Sequence, residues 1–158
     1  MSLYQIHGLL QSIVFLVLFP LGASIALFRR YIGSRWRIMH VSIQLTAITL
    51  FMIAISIAYY MGNIKNKGSK KDDDRQINKL HRYMGRFIFV VIVLQLFWAY
   101  QGRKIVSWKV WYYIHMLLSS IIIVSGITNI LIARKMMSKS YTDKNKEIIK
   151  NNEEIVGE

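Results

Sequence analysis

The sequence predicts an all-α membrane protein, a bundle of four transmembrane helices, and three observations predict it. Of the 158 residues 54% are hydrophobic, and they lie in blocks: residues 1–28, 38–64 and 110–133 contain no charged side chain. A helix of about 20 apolar residues crosses the hydrocarbon of a bilayer, and each block exceeds that length. The charge between the blocks is strongly basic, net +13, as expected of loops facing anionic lipid. Each of the four greasy segments also carries one histidine near its start, at His7, His40, His81 and His115.

The first helix is expected over about residues 3–28. Pro20 lies inside it and Gly22 follows, which predicts a kink, because proline removes a backbone donor and its ring presses on the preceding turn. Ser24-Ile25-Ala26 loosely fits a signal-peptidase site. The uncharged start and the length of the run argue against a cleaved leader. Phe28 to Arg35 is a short basic turn, and the second helix covers about 36–61. Residues 62–79 mix five lysines and Arg75 with three aspartates and show no apolar period, so a loop is expected there. The third helix is the weakest, since the uncharged run between Arg86 and Arg103, Phe87 to Gly102, is too short alone. A helix over about 80–101 is long enough if Arg82 and Arg86 snorkel toward headgroups. A turn over 102–107 leads into the fourth helix, about 108–133. The polar tail 134–158 is expected to be disordered, so residues 1–133 form the domain.

With no cysteine in the chain, thiolate metal sites, disulfides and cysteine catalysis are excluded. Nucleic acid is not an expected partner, since no recognition module accompanies the basic charge. Membrane lipid is.

Four helices that cross in alternation place His7 and His81 toward one face and His40 and His115 toward the other. At 1.5 Å per residue, His40 lies roughly 5 Å inside Arg37 and His115 roughly 9 Å inside Lys109. Two sites near opposite faces of a roughly 30 Å core would stand on the order of 15–20 Å apart. Zinc wants four protein ligands, or three and a water, and no predicted span supplies an aspartate or glutamate to complete such a set. Haem iron needs two axial ligands and an apolar pocket. The residues therefore favour two b-type haems with His7/His81 and His40/His115 as axial iron ligands, against the plainer reading of interfacial histidines bonded to carbonyls or headgroups. One turn beyond the histidines stand Gln11, Gln44, Gly85 and Ser119, small enough to admit a macrocycle or polar enough to bond its edge. The intervals His7 to His40 and His81 to His115 differ by a single position, and Trp-x-x-x-His recurs at 36–40 and 111–115. The chain reads as two copies of one helical hairpin. Trp36 and Trp111 suit an interfacial aromatic belt.

His7-Gly8, Phe19-Pro20-Leu21-Gly22, Trp36-x-x-x-His40, His81-Arg-Tyr-Met-Gly85, and Trp111-x-x-x-His115 with Gly126-Ile-Thr-Asn129-Ile stand in order over residues 3–133. Together they resemble the cytochrome b561 family. The resemblance implies a four-helix core holding two b haems on the first and third and on the second and fourth histidines. It also implies transmembrane electron transfer from ascorbate to monodehydroascorbate or ferric chelates, an oxidoreductase activity. Arg35, with Arg37 beside it, occupies a place similar to the family's ascorbate-binding basic residues. The sequence departs from the six-helix members in having four such segments, and from other relatives in having no DOMON domain. A homodimer is compatible with this reading. Two alternatives stay open, a haem-bearing membrane anchor for a separate redox partner and a haem-free tetraspan adaptor. Orientation is contested: 13 Lys/Arg stand on the N-terminal side against 7 opposite, with Arg86 set aside. The flanks of the first helix, whose vote usually dominates, put the His40/His115 end in the cytosol.

Overall fold

The computed structural model describes residues 1–65 and 75–156, with side chains described for most of them. Helix α1, Leu3–Leu27, is followed by a single turn, α2, Arg29–Ile32. The long helices α3, Trp36–Lys65, α4, Arg75–Ile105, and α5, Trp108–Val156, complete the bundle. Among the described residues, four stretches are long and apolar enough to cross a membrane: Leu3–Leu27, Trp36–Gly62, Lys79–Ile105 and Trp108–Lys139. At most 28% of an 18-residue apolar stretch within any one of them is buried within the chain. The exposed remainder includes Leu9, Val17, Leu45, Ile53, Val93, Phe97, Leu117 and Val124. So much exposed apolar surface is a liability in water and the expected surface in lipid. The chain is a multi-pass membrane protein by this measure.

Helix α1 starts at a capping box, with Ser2 accepting from the Gln5 backbone while the Gln5 side chain accepts from the Ser2 backbone. The kink expected at Pro20 takes a definite form. Residues Val14–Leu18 make a π-helical turn, closed by the Phe19 N–H on the Val14 carbonyl. Proline at position 20 has no N–H for the Leu16 carbonyl, and its ring crowds that carbonyl, so the helix widens one turn earlier. The basic turn ends at Gly33, whose φ of 79° and ψ of −158° are open to glycine and strained for other residues.

Two expectations about boundaries are corrected. The tail expected to be disordered continues α5 as helix to Val156. No glycine or proline stands between Gly126 and Gly157, and polar composition keeps a segment out of lipid without interrupting its backbone hydrogen bonds. The turn expected over 102–107 shrinks to Val106 and Ser107, since α4 runs to Ile105. Of the loop expected over 62–79, residues 66–74 lie outside the described residues, and the helices on either side occupy the rest.

Helix α1 packs on α3, α4 packs on α5, and α1 also meets α5. Among the described residues, α3 and α4 do not come within 8 Å of each other between Cα atoms. The core at mid-bundle gathers Val14, Phe15 and Phe19 with Ala47 and Phe51, and with Ile88, Ile92 and Ile122. The Phe15 ring meets those of Phe19 and Phe51 at 5.4 and 5.7 Å between centroids. Gly126 gives it room, as a Cβ there would collide with the ring.

Candidate functional site: two facing histidine pairs

Each histidine lies near the start of a membrane-spanning stretch, half-buried, and each faces a histidine from a nonadjacent segment. The rings of His7 and His81 stand 6.2 Å apart between centroids, with planes at 86°. Those of His40 and His115 stand 6.4 Å apart at 65°. Among the described residues no group of three or more His, Asp, Glu or Cys gathers, so each candidate site offers two nitrogen ligands. A metal–imidazole bond is about 2 Å, and adding about 1 Å of ring radius on each side gives about 6 Å between the centroids of two axial rings. Both pairs match that spacing.

The first hairpin fixes its histidines through backbone. His7 Nδ1 is 2.8 Å from the Ala54 carbonyl on α3, and His40 Nδ1 is 2.7 Å from the Gly22 carbonyl on α1. A carbonyl only accepts, so Nδ1 carries the proton in both rings and Nε2 is left with its lone pair for coordination. The exchange is reciprocal, each helix holding the other's histidine. It also measures the separation of the sites. His40 and Ala54 stand close to four turns apart on α3, or about 21 Å along the helix.

The second hairpin differs. The Gln95 side-chain nitrogen lies 3.0 Å from His115 Nδ1 and 3.4 Å from its Nε2. It also lies 3.2 Å from the His115 carbonyl and 2.7 Å from Ser119 Oγ. Gln95 Oε1 is buried without a partner. At the other end, His81 lies beside both the main-chain carbonyl and the side chain of Asn129, with neither placed in strict hydrogen-bond geometry to the buried Nδ1. Asn129 lies against the face of Gly85, one turn from His81, its Nδ2 3.9 Å from where a Cβ would be.

Trp111 does more than mark the interface. Its ring stacks on His115 at 5.1 Å and 16°. Its indole N–H donates to the Trp98 carbonyl at 3.0 Å, and the Trp98 indole donates to the Trp111 carbonyl at 3.1 Å. A Cβ at Gly102 would come within 2.8 Å of Trp111 and 2.9 Å of Trp98. Trp36 has Arg37 over its ring at 5.8 Å, as suits the interface.

Of the four residues one turn beyond the histidines, Ser119 donates to the His115 carbonyl at 2.8 Å. Gln44 reaches the Phe19 carbonyl at 3.4 Å, and Gln11 Oε1 is buried unpartnered. A cavity of about 150 Å³ opens between His40 and His115, lined by Gln44, Ala23, Ile48, Ala99 and Ser119 among others. That is below the roughly 300–1,000 Å³ of a ligand pocket, so a macrocycle enters only if Gln44 and its flexible neighbours rotate outward. Ring spacing and donor chemistry fit haem, and the volume requires those rotations. Arg35 and Arg37 are exposed at the same end, with Arg103 over Trp111 at 5.9 Å. Sequence reasoning passed over Gln95 and Trp98. Spacing could have found Gln95: it follows His81 on α4 by close to four helical turns, which carries it to the level of the opposite histidine pair.

No family model and no solved structure matches the chain.

Proposed function

We propose that the chain is a transmembrane electron carrier of the cytochrome b561 type, holding one b haem at His7/His81 and a second at His40/His115. The observation that carries this reading is the pair of ring spacings, with His7 and His40 both bonded through Nδ1 to a carbonyl. Haem bound by two histidines supplies one-electron chemistry without an open position for oxygen. The protein's part is positional. Ala54 and Gly22 hold two ligands in the coordinating tautomer, and the Phe15–Phe19–Phe51 core keeps water from the space between the sites. The turns holding Arg29 to Arg37 and Arg103 to Lys109 concentrate an anionic reductant, ascorbate or one like it, at the His40/His115 end. The acceptor at the far end is monodehydroascorbate or a ferric chelate.

The test is a dithionite-reduced minus oxidised spectrum of the purified protein with a haem count per chain. Two b haems are expected in the wild type and one in His40→Ala or His115→Ala. A colourless, folded protein made with haem available would leave the haem-free tetraspan reading. A second reading is favoured by the extension of α5 from Lys139 to Val156 beyond its membrane span. Such a helix offers a soluble redox partner a stalk to dock on, making the chain an anchor subunit. A partner copurifying in stoichiometric amount, with no direct reduction by ascorbate, decides for that reading.

A further inference from the structure

Three of the seams between neighbouring spans are closed by specific contacts, and one is not. Between α1 and α3, Gln44 lies against Gly22, where a Cβ would collide with its side chain, and His40 bonds the Gly22 carbonyl. Between α4 and α5, Trp98 and Trp111 exchange hydrogen bonds beside Gly102. Between α1 and α5, the Phe15 ring fills the space that Gly126 leaves. Between α3 and α4, among the described residues, no two Cα atoms approach within 8 Å.

The internal repeat accounts for the difference. Phe89 follows His81 by the interval at which Phe15 follows His7, and Phe51 follows His40 by the interval at which Gly126 follows His115. The repeat therefore sets Phe89 and Phe51 on α4 and α3 where Phe15 and Gly126 stand on α1 and α5. A small residue lets two helix backbones approach closely. Phe51 instead fills that place itself, buried with its ring 5.7 Å from that of Phe15, and Phe89 is left 37% exposed. The α3–α4 seam cannot close as its counterpart does.

The cavity between His40 and His115 opens onto this seam. Its lining from α1 and α5, Phe19, Ala23, Ser119 and Ile122, is buried or half-buried. Its lining from α3 and α4 includes Val41, Leu45, Leu96 and Ala99, which are also exposed on the outside of the bundle. These four make an apolar rim at a level where the bundle faces hydrocarbon, and Gln44 and Gln95 stand behind it with the two histidines. We propose that the α3–α4 seam is a lateral portal through which the macrocycle at the His40/His115 end passes between the bilayer and its site. The two hairpins part there by turning about the α1–α5 seam, which Phe15 and Gly126 hold. Opening is easiest where the fewest packed contacts must break, and the apolar rim suits a flat, largely apolar ring arriving from lipid. The inference rests on the haem reading above, to which it adds a route.

The chain has no cysteine, so a pair can be introduced across the rim, Leu45→Cys with Leu96→Cys, and joined by a thiol cross-linker that reduction cleaves. Full-length protein made without haem and then linked is expected to take up no more than one haem per chain from added haemin, and two after cleavage. Protein loaded before linking is expected to release one haem to apomyoglobin severalfold more slowly than the same sample after cleavage. Val41→Cys with Ala99→Cys repeats the test at a neighbouring level of the rim if the first pair does not fold. Uptake of two haems while linked, or release unaffected by cleavage, overturns the portal while the haem reading stands. A wild type that binds no haem overturns both.

Discussion

Gly102→Ala tests the Trp98–Trp111 clasp, and its cost can be worked from the structure. An alanine Cβ would stand 2.8 Å from Trp111 Cδ1 and 2.9 Å from Trp98 Cδ2, closer than packed carbon atoms approach. Both neighbours are rigid rings, and each is tied by its indole N–H to the other's carbonyl, at 3.0 and 3.1 Å. Neither can retreat without lengthening a hydrogen bond. Overpacking of this kind costs about 1–3 kcal/mol, and weakening two hydrogen bonds adds up to about 1 kcal/mol each. Replacing glycine inside a helix returns about 1 kcal/mol. The net expectation is a loss of about 2 kcal/mol, the middle of a range of about 0–4 kcal/mol, read as an earlier midpoint in an SDS titration followed by circular dichroism. Because Trp111 stacks on His115, on the proposed haem reading the change should also perturb the spectrum of a haem held at that end and spare one held at the other. A midpoint equal to or later than the wild type's would refute the argument, since helix propensity would then outweigh the collision.

Gly126→Val should cost more, about 3 kcal/mol or above, because the Phe15 ring occupies the space and lies within the core shared by all four spans; the same titration measures it. Arg35→Glu with Arg37→Glu should slow reduction by ascorbate severalfold or more at low salt, with the gap closing as ionic strength rises. An equal rate for variant and wild type at low salt in stopped-flow traces would remove these arginines from the reductant's path. Trp98→Phe should leave the fold intact and cost about 1 kcal/mol for its lost indole bond, again by SDS titration.

The four spans and the opposition of the histidines were legible because they rest on coarse rules, a length of apolar helix and the alternation of crossing direction. Even the marginal third span stood out once Arg82 and Arg86 were allowed to reach an interface. The end of α5 was not legible, since composition distinguishes lipid from water and says little about helix from coil when breakers are absent. The carbonyl partners of His7 and His40 were hidden for a different reason. Gly22 and Ala54 act through main-chain atoms every residue possesses, and only the helix packing selects which carbonyl meets the ring. Gln95 was not legible within one turn of any histidine, because the ring it lies against, His115, is on the adjacent helix.

The π turn in α1 follows from the same geometry. Each of His40, His81 and His115 stands close to four α-helical turns before the residue of its own helix that lies beside a histidine of the opposite pair, and the interval is the same in all three. From His7 to Gly22 it is one residue longer. The turn Val14–Leu18 absorbs the additional residue, so Gly22 presents its carbonyl to His40 while His7 still faces His81. Without that turn, one added residue would rotate one end of α1 by about 100° against the other. On the proposed haem reading, inserting an alanine after Val17, a half-exposed position, should therefore remove one haem from two. Deleting Val17 together with Pro20→Ala should keep both, since a regular α-helix with one residue fewer restores the register that the wider turn provides. Retention of two haems by the insertion would show that the histidine pairs tolerate rotation of α1, and the register argument would fail.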